Sequence, residues 1–464
     1  MKSNMKKILS YSFAFLLTLG TVMAQVPKGD VLIKNGTVLT ITDGVKENTD
    51  VLVRGGKITQ IGQNINAPSG VRVIDATGQF VMPGIIDAHS HIALDAINEA
   101  TSPITAEVYT GDAINPMDIS IYRALAGGVT SSHAMHGSAN AIGGQNQTIK
   151  HRYGLLNPED IKFEGSARTI KFALGENPTR VHGRGNGVQP RSRMGVETVI
   201  RNGFSEALEY KEAWDKYNQQ KAANNSRAMA PAYDLRLETL KEILEGKIMV
   251  HCHSYRADEI LMLMEVFKDF GIKNLVYQHT NEGFKVAPEI ADFGAMASVF
   301  ADWWAYKFEV YYSTAYNAAI LTRNGVITSI NSDSGDYIRH LFHQAGKTQK
   351  YGMLTDDEAL ALITINPAKQ LGIDNRVGSI EVGKDADIAI FNNHPLSIYA
   401  VPQYTIVDGT VYFDLKNDPA DMRLMVNPEE TVEALHVHEI GVHNCMLGTE
   451  EYLQFGLSLF TNQR

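Results

Sequence analysis

Between residues 85 and 373 apolar runs that end in polar residues alternate with helix-forming stretches, and this rhythm restricts the fold more than any other feature. The runs are GIIDAHSH, GGVTSSHAM, QTIKHR, RTIKFALGEN, KIMVHCH, NLVYQH, MASVF and GVITSINSD. Segments such as SEALEYKEAWDKYNQQ and DEILMLMEVFKDF fall between them. Parallel strands buried on both faces read as near-continuous apolar runs. Eight of them alternating with helices predict an α/β fold, a TIM-like (β/α)8 barrel. In such a barrel the strand ends line the mouth where chemistry is done, and here histidines and acids gather at those ends.

The flanks have another texture. DVLIKNGTVLTI, DVLVRGGKITQIG and RVIDATGQFVMPG alternate apolar and polar residues around KNG, RGG and ATG turns, as antiparallel hairpins do. The same texture returns in VGSIEVGKDADIAIF and YTIVDGTVYFD. Residues 28–84 and 374–416 are therefore expected to form a small composite β-sandwich domain beside the barrel of residues 85–373, with 417–464 as a C-terminal extension.

Residues 1–24 read as a secretory signal peptide: MKSNMKK is a positive start, ILSYSFAFLLTLG an apolar centre, and TVMA a small-residue cleavage site. An uncleaved anchor is the alternative, but the apolar stretch is short for a span. The expected location is secreted or periplasmic, with no membrane partner once the signal is cleaved. Without Lys2, Lys6 and Lys7, the 42 basic residues fall to 39 against 52 acidic ones, a balance near −13. That argues against a nucleic-acid partner, which needs a basic face. Two cysteines, Cys252 and Cys445, do not make a disulfide scaffold.

His89 and His91 are two apart on the first strand, so both face one side. Two imidazoles at that spacing are natural metal ligands, although an isolated pair is a weak signal. Context strengthens it. IMVHCH puts His251 and His253 on one face of the fifth strand, NLVYQH ends in His279, and ITSINSD ends in Asp333.

The fourth strand carries a lysine. Period-2 geometry sets Ile170, Phe172 and Leu174 towards the helices and Lys171 into the barrel. A bare ammonium there is repelled by a divalent ion, and burial drives it neutral. A neutral amine can take up CO₂ as a carbamate, an anion with two oxygens for two metals. Glu176, after Gly175, remains an alternative bridging ligand, and pairing of Lys171 with Asp87 a purely structural one.

VMPGIIDAHSH, the strand-four lysine, VHCH, the strand-six histidine, the strand-eight SD and NPAKQLGIDNRVGSIEVGKDADIAIF together resemble the amidohydrolase superfamily over about residues 30–415. The likeness is to its imidazolonepropionase-like and prolidase-like branch. It implies one or two divalent metals. By that resemblance His89, His91 and Asp333 hold the more buried metal. Carboxylated Lys171 bridges to a second held by His251 and His279, while His253 faces substrate. The metals expected are two zinc ions, with manganese, iron or cobalt as alternatives.

The reaction expected is hydrolysis of an amide-type C–N bond by metal-activated hydroxide, with Asp333 as general base and then acid. The substrate is a small-molecule amide or peptide: a dipeptide, an N-acyl amino acid or a cyclic amide. Loop residues near the mouth are substrate-binding candidates: His136, His182, Arg184, Tyr255 and Arg256, with Arg180, His133, Trp303 and Trp304 nearby. Arginines can grip a carboxylate or simply pair with loop acids. Two other readings stand beside this one: a mononuclear deaminase on the same fold, and a non-catalytic binding protein. A homo-oligomer is compatible with all three. His436, His438, His443 and Cys445 in the tail lack regular zinc-ligand spacing.

Overall fold

The computed structural model describes residues 26–303, 307–417 and 422–424. The signal-like segment, Trp304 and the tail histidines lie outside the described residues.

The chain opens with β1 (Val31–Leu39), β2 (Val45–Arg54), β3 (Lys57–Gly62), β4 (Arg72–Asp75) and β5 (Phe80–Pro83). The barrel follows as β6 (Ile85–Ser90), β7 (Val129–Ala134), β8 (Ile142–Lys150), β9 (Thr169–Ala173), β10 (Met249–Ser254), β11 (Leu275–His279), β12 (Met296–Val299) and β13 (Thr328–Ile330). These strands coincide with the eight runs read from the sequence. The chain returns through β14 (Ile388–Phe391), β15 (Pro402–Val407) and β16 (Thr410–Asp414). β14 pairs antiparallel with β5, so both flanks join one eight-stranded sheet. Its core mixes Val31, Ile33, Val51 and Val81 from one flank with Ile388, Ile390 and Ile406 from the other. Between β15 and β16, Asp408 and Gly409 both take positive φ (48° and 74°), as a two-residue type I′ turn requires.

The barrel departs from a regular parallel ring at one strand. β8 runs antiparallel to both β7 and β9. Only Met135–Ala141 separates β7 from β8, too short for the helical crossover that a parallel pair needs. The chain therefore folds back as a hairpin. In consequence Lys150, at the end of β8, pairs in register with Ser131 near the start of β7, away from the mouth. There its Nζ donates to Asp385 (2.8 Å) and Asp408 (2.8 Å) of the sheet domain. Arg152 Nε also donates to Asp408, at 2.8 Å. The polar end of this run, expected at the mouth, instead pins the barrel to the sheet. Between β13 and β6, the ring is joined by the Asp333 N–H, which donates to the His89 carbonyl at 3.1 Å. Among the described residues, no helix is long and apolar enough to cross a membrane.

Candidate metal centre

His89 lies in β6, and His91 follows its end; both are buried. The His91 Nδ1–H donates to the Met135 carbonyl at 2.8 Å, which leaves the lone pair of this ring on Nε2. That lone pair faces Asp333 Oδ1 at 3.1 Å, and His89 Nε2 faces the same oxygen at 3.4 Å. A neutral His91 would meet Asp333 acceptor to acceptor; an Nε2 proton, giving the imidazolium that hydrogen-bonds Asp333, or a shared metal ion fills that space. Ligand atoms 2.0–2.2 Å from a tetrahedral zinc lie about 3.4 Å apart, so this spacing suits a shared cation. Burial favours the neutral carboxyl of Asp333, but His279, His91 and Lys171 outweigh it and hold its pKa below the usual range.

Two strand ends turn by an unusual backbone. His279 and Asp333 have φ of 66° and 48°, a left-handed conformation uncommon for non-glycine residues and costing of order 1–3 kcal/mol each. On β11 the alternation sends Gln278 inward and Tyr277 outward, where its hydroxyl donates to Ile260. His279 reaches the site because its left-handed turn brings it round. Its Nε2 lies 3.7 Å from Asp333 Oδ2, and neither ring nitrogen has a hydrogen-bond partner among the described residues. Burial, above all, depresses its pKa to about 3, so it is neutral and able to ligate.

The two β10 histidines occupy different surroundings. The His253 ring lies 4.7 Å from that of His279 and 4.4 Å from Tyr255. Its Nδ1 meets Ser138 Oγ at 3.0 Å, and its Nε2 has no partner among the described residues. His251 instead takes Gln278 Nε2–H on Nδ1 at 2.9 Å, beside the His133 ring at 4.6 Å. The same Gln278 accepts from His89 Nδ1 at 3.1 Å. Lys171 is fully buried, with Nζ 3.1 Å from His89 Nε2. Asp87, its alternative partner, instead accepts from the backbone of His89 and from Ser332.

Glu176 is turned away from this cluster. Gly175 takes φ 77°, which breaks the strand alternation. Glu176 then pairs with Arg180 at 3.0 Å and lies 3.7 Å from Lys307. Of the other candidates, Tyr255 stacks on His279 with centroids 5.5 Å apart, and Phe300 and Trp303 continue the wall. Arg256 is spent on Asp258, with two contacts of 2.9 Å on the surface. His136 has both ring nitrogens on backbone, at Glu99 and Gly137. His182 is buried, its pKa lowered by burial against an opposing contact to the Ala139 backbone, and Arg184 is exposed. Lys307, Gln278 and Ser138 have no motif of their own in the sequence. Gln278 alone had a signal, its inward position on β11.

The donor set fits a divalent metal: His89, His91 and Asp333 converge, and buried nitrogens of His251, His253 and His279 stand without hydrogen-bond partners among the described residues. A barrel whose mouth carries such a cluster belongs to the class of metal-dependent hydrolases.

A family model described as amidohydrolase family matches residues 311–417. The crystal structure of an amidohydrolase from Thermotoga maritima MSB8 is 35% identical with a TM-score of 0.75, over 83% of this chain and 100% of that one. The chain belongs to the amidohydrolase family, whose members act on carbon–nitrogen bonds. Amidohydrolase tasK of Hapsidospora irregularis is 32% identical over 397 residues, which is 79% of this chain and 40% of that protein. The chain thus spans less than half the length of that relative. A 5-methylthioadenosine/S-adenosylhomocysteine deaminase of Symbiobacterium thermophilum is 24% identical over 83% of this chain and 93% of its own.

Proposed function

We propose that the protein is an exported metal-dependent amidohydrolase that hydrolyses an amide-type C–N bond in a dipeptide, an N-acyl amino acid or a cyclic amide. The observation that carries the reading is the convergence of three buried ligand-type groups, with His91 Nε2 and His89 Nε2 at 3.1 Å and 3.4 Å from the same Asp333 Oδ1. His89, His91 and Asp333 would hold one ion. Carboxylated Lys171, His279 and a β10 histidine would hold a second, zinc being the first choice. When bound, the metal supplies Lewis-acid polarisation of the carbonyl and a water of lowered pKa.

The chain's own residues do the rest. Asp333 accepts a proton on its carboxylate and returns it to the leaving nitrogen. Tyr255, Phe300 and Trp303 form an aromatic wall that shields the reacting groups from bulk water. Export rests on the signal-like residues 1–24, and a mature N-terminus at Gln25 is the expected product.

The test is a screen of dipeptides, N-acyl amino acids and lactams with zinc or manganese supplied. Hydrolysis that stops on chelation and returns with metal is expected. Turnover indifferent to chelation would overturn the reading. The deaminase-named relative keeps one rival in view: ammonia released from an amino-substituted ring by a single-metal enzyme would favour it.

A further inference from the structure

We propose that a cavity at the junction of barrel and sheet, walled by Arg339, Arg123, Arg423 and Phe342, binds a small apolar carboxylate at a site separate from the metal centre. The ligand class follows from the lining, whatever reaction the metal centre carries.

The cavity has a volume of about 210 Å³. The helix Ile119–Ala126 supplies Arg123, and the segment from Tyr337 into the helix Leu341–Gly352 supplies Arg339 and Phe342. Ala400 and Val401, just before β15, close it from the sheet side. Two contacts fix these walls. Thr405 Oγ1 of β15 donates to the Leu125 carbonyl at 2.6 Å, and the Phe342 ring meets that of Phe391 in β14 at 5.2 Å. Gly127 admits the Arg339 backbone to the end of the first helix, because a Cβ there would stand 2.4 Å from the Arg339 carbonyl oxygen.

The lining joins three guanidinium groups to an apolar wall and includes no carboxylate. Arg123 and Arg423 also engage other groups, so the grip falls to Arg339. Its Nη2 lies 3.6 Å from Asp336, a carboxylate largely in solvent. Its Nε is buried with no hydrogen-bond partner among the described residues. A buried donor without an acceptor is costly, and a carboxylate taken across Nε and Nη2 satisfies it. His340 and His343 line the same cavity. Burial, and then Arg339 beside the one and His340 and Lys347 beside the other, hold both below the usual histidine range. Both rings are neutral at pH 7 and can donate an N–H without adding charge.

Size and polarity select the rest of the ligand. An apolar cavity of about 150 Å³ holds benzene, so this one accommodates a ring or branched chain bearing a carboxylate. Phe342, Ala400 and Val401 take the hydrocarbon, from which inorganic phosphate gains nothing. Val401 is 40% exposed and leaves the rim open to solvent.

The test is a titration of the full chain with 4-fluorophenylacetate, followed by the broadening of its fluorine NMR signal. A dissociation constant of about 1 mM or tighter is expected for a ligand of this size. Arg339→Met keeps the aliphatic stem and removes the guanidinium, so affinity is expected to fall about 10-fold or more, with circular dichroism unchanged. The neutral 4-fluorophenylacetamide should bind more weakly than the acid by a similar factor. Arg256→Met, at the mouth of the barrel, is expected to change affinity less than twofold or so. Arg123→Met, with an expected loss of about threefold or more, locates the site if Arg339→Met does not fold. Absence of broadening in wild type overturns the proposal. Broadening that neither Arg339→Met nor Arg123→Met weakens overturns it too, since the probe then sits elsewhere, the metal centre included. Displacement of the probe by an equal concentration of inorganic phosphate overturns the apolar-carboxylate class.

Discussion

Lys171 Nζ and His89 Nε2 lie 3.1 Å apart at the centre of the barrel, both without solvent contact. The ring nitrogen that the lysine touches is also the one that faces Asp333. An ammonium and a metal ion would compete for that lone pair. A carbamate removes the competition, because the nitrogen no longer donates a charge and two oxygens become available.

Lys171→Ala is therefore expected to lower bound metal from about two ions per chain to about one and to abolish turnover. Glu176→Gln, whose carboxylate is committed to Arg180 and Lys307, is expected to leave metal content unchanged. Elemental analysis of the three proteins decides this. One ion in wild type, unchanged in Lys171→Ala, would sink the bridging role.

Asp333→Asn removes the proton acceptor while keeping size and backbone. Turnover is expected to fall by about 10²–10⁴, the usual worth of a positioned acid–base group. The far-ultraviolet circular dichroism should not change. A fully active variant would show that the proton moves elsewhere.

Arg256 and Lys307 should separate cleanly in steady-state kinetics. Arg256 is spent on Asp258 at the surface, so Arg256→Ala is expected to change kcat and KM less than twofold or so. Lys307 is buried, lies 4.1 Å from the Tyr255 ring centroid and sits between Glu176 and Glu309. Lys307→Met removes one of the cations beside Glu176 and Glu309, which keep Arg180 and Arg193, and loosens the Tyr255 wall, for an expected KM increase of about tenfold. Equal effects of the two substitutions would contradict the assignment.

The junction between barrel and sheet should show in pH-dependent stability. Burial favours a neutral Asp408, but Lys150 and Arg152 outweigh it and hold its carboxyl far below the usual range. A depressed carboxyl contributes stability above its unfolded pKa and loses it as pH falls through the folded value. Asp387 works the other way, raised to about 6 mainly by burial, so it opposes folding as pH rises through that value. Lys150→Met leaves these aspartates facing one another and is expected to cost about 3–5 kcal/mol at pH 8. At pH 5 protonation relieves part of the repulsion, so the cost should shrink. Urea unfolding at both pH values measures it, and equal costs would refute the account.

Most of the scaffold was legible because its signals are local. Each barrel strand is an apolar run, and period-2 alternation correctly sent Lys171, His251 and His253 inward. The alternating texture of YTIVDGTVYFD marked the last hairpin in the same way. The reversed β8 was not legible, since a run such as QTIKHR carries no direction; the seven-residue connection before it decides that.

What the sequence by itself determined is therefore the alternation of elements, the composite sheet from two flanks, and the inward face that bears the His89–His91 pair and Lys171. Only the tertiary structure decided how that face is used. His279 enters the site through a left-handed φ that overrides its alternation. Arg256 leaves it for a nearby aspartate. Gln278, 189 positions from His89 and 27 from His251, joins them across the barrel. Alternation is a property of one strand, whereas the tautomer of a buried imidazole depends on whichever distant group meets its other nitrogen, and folding alone brings that group there.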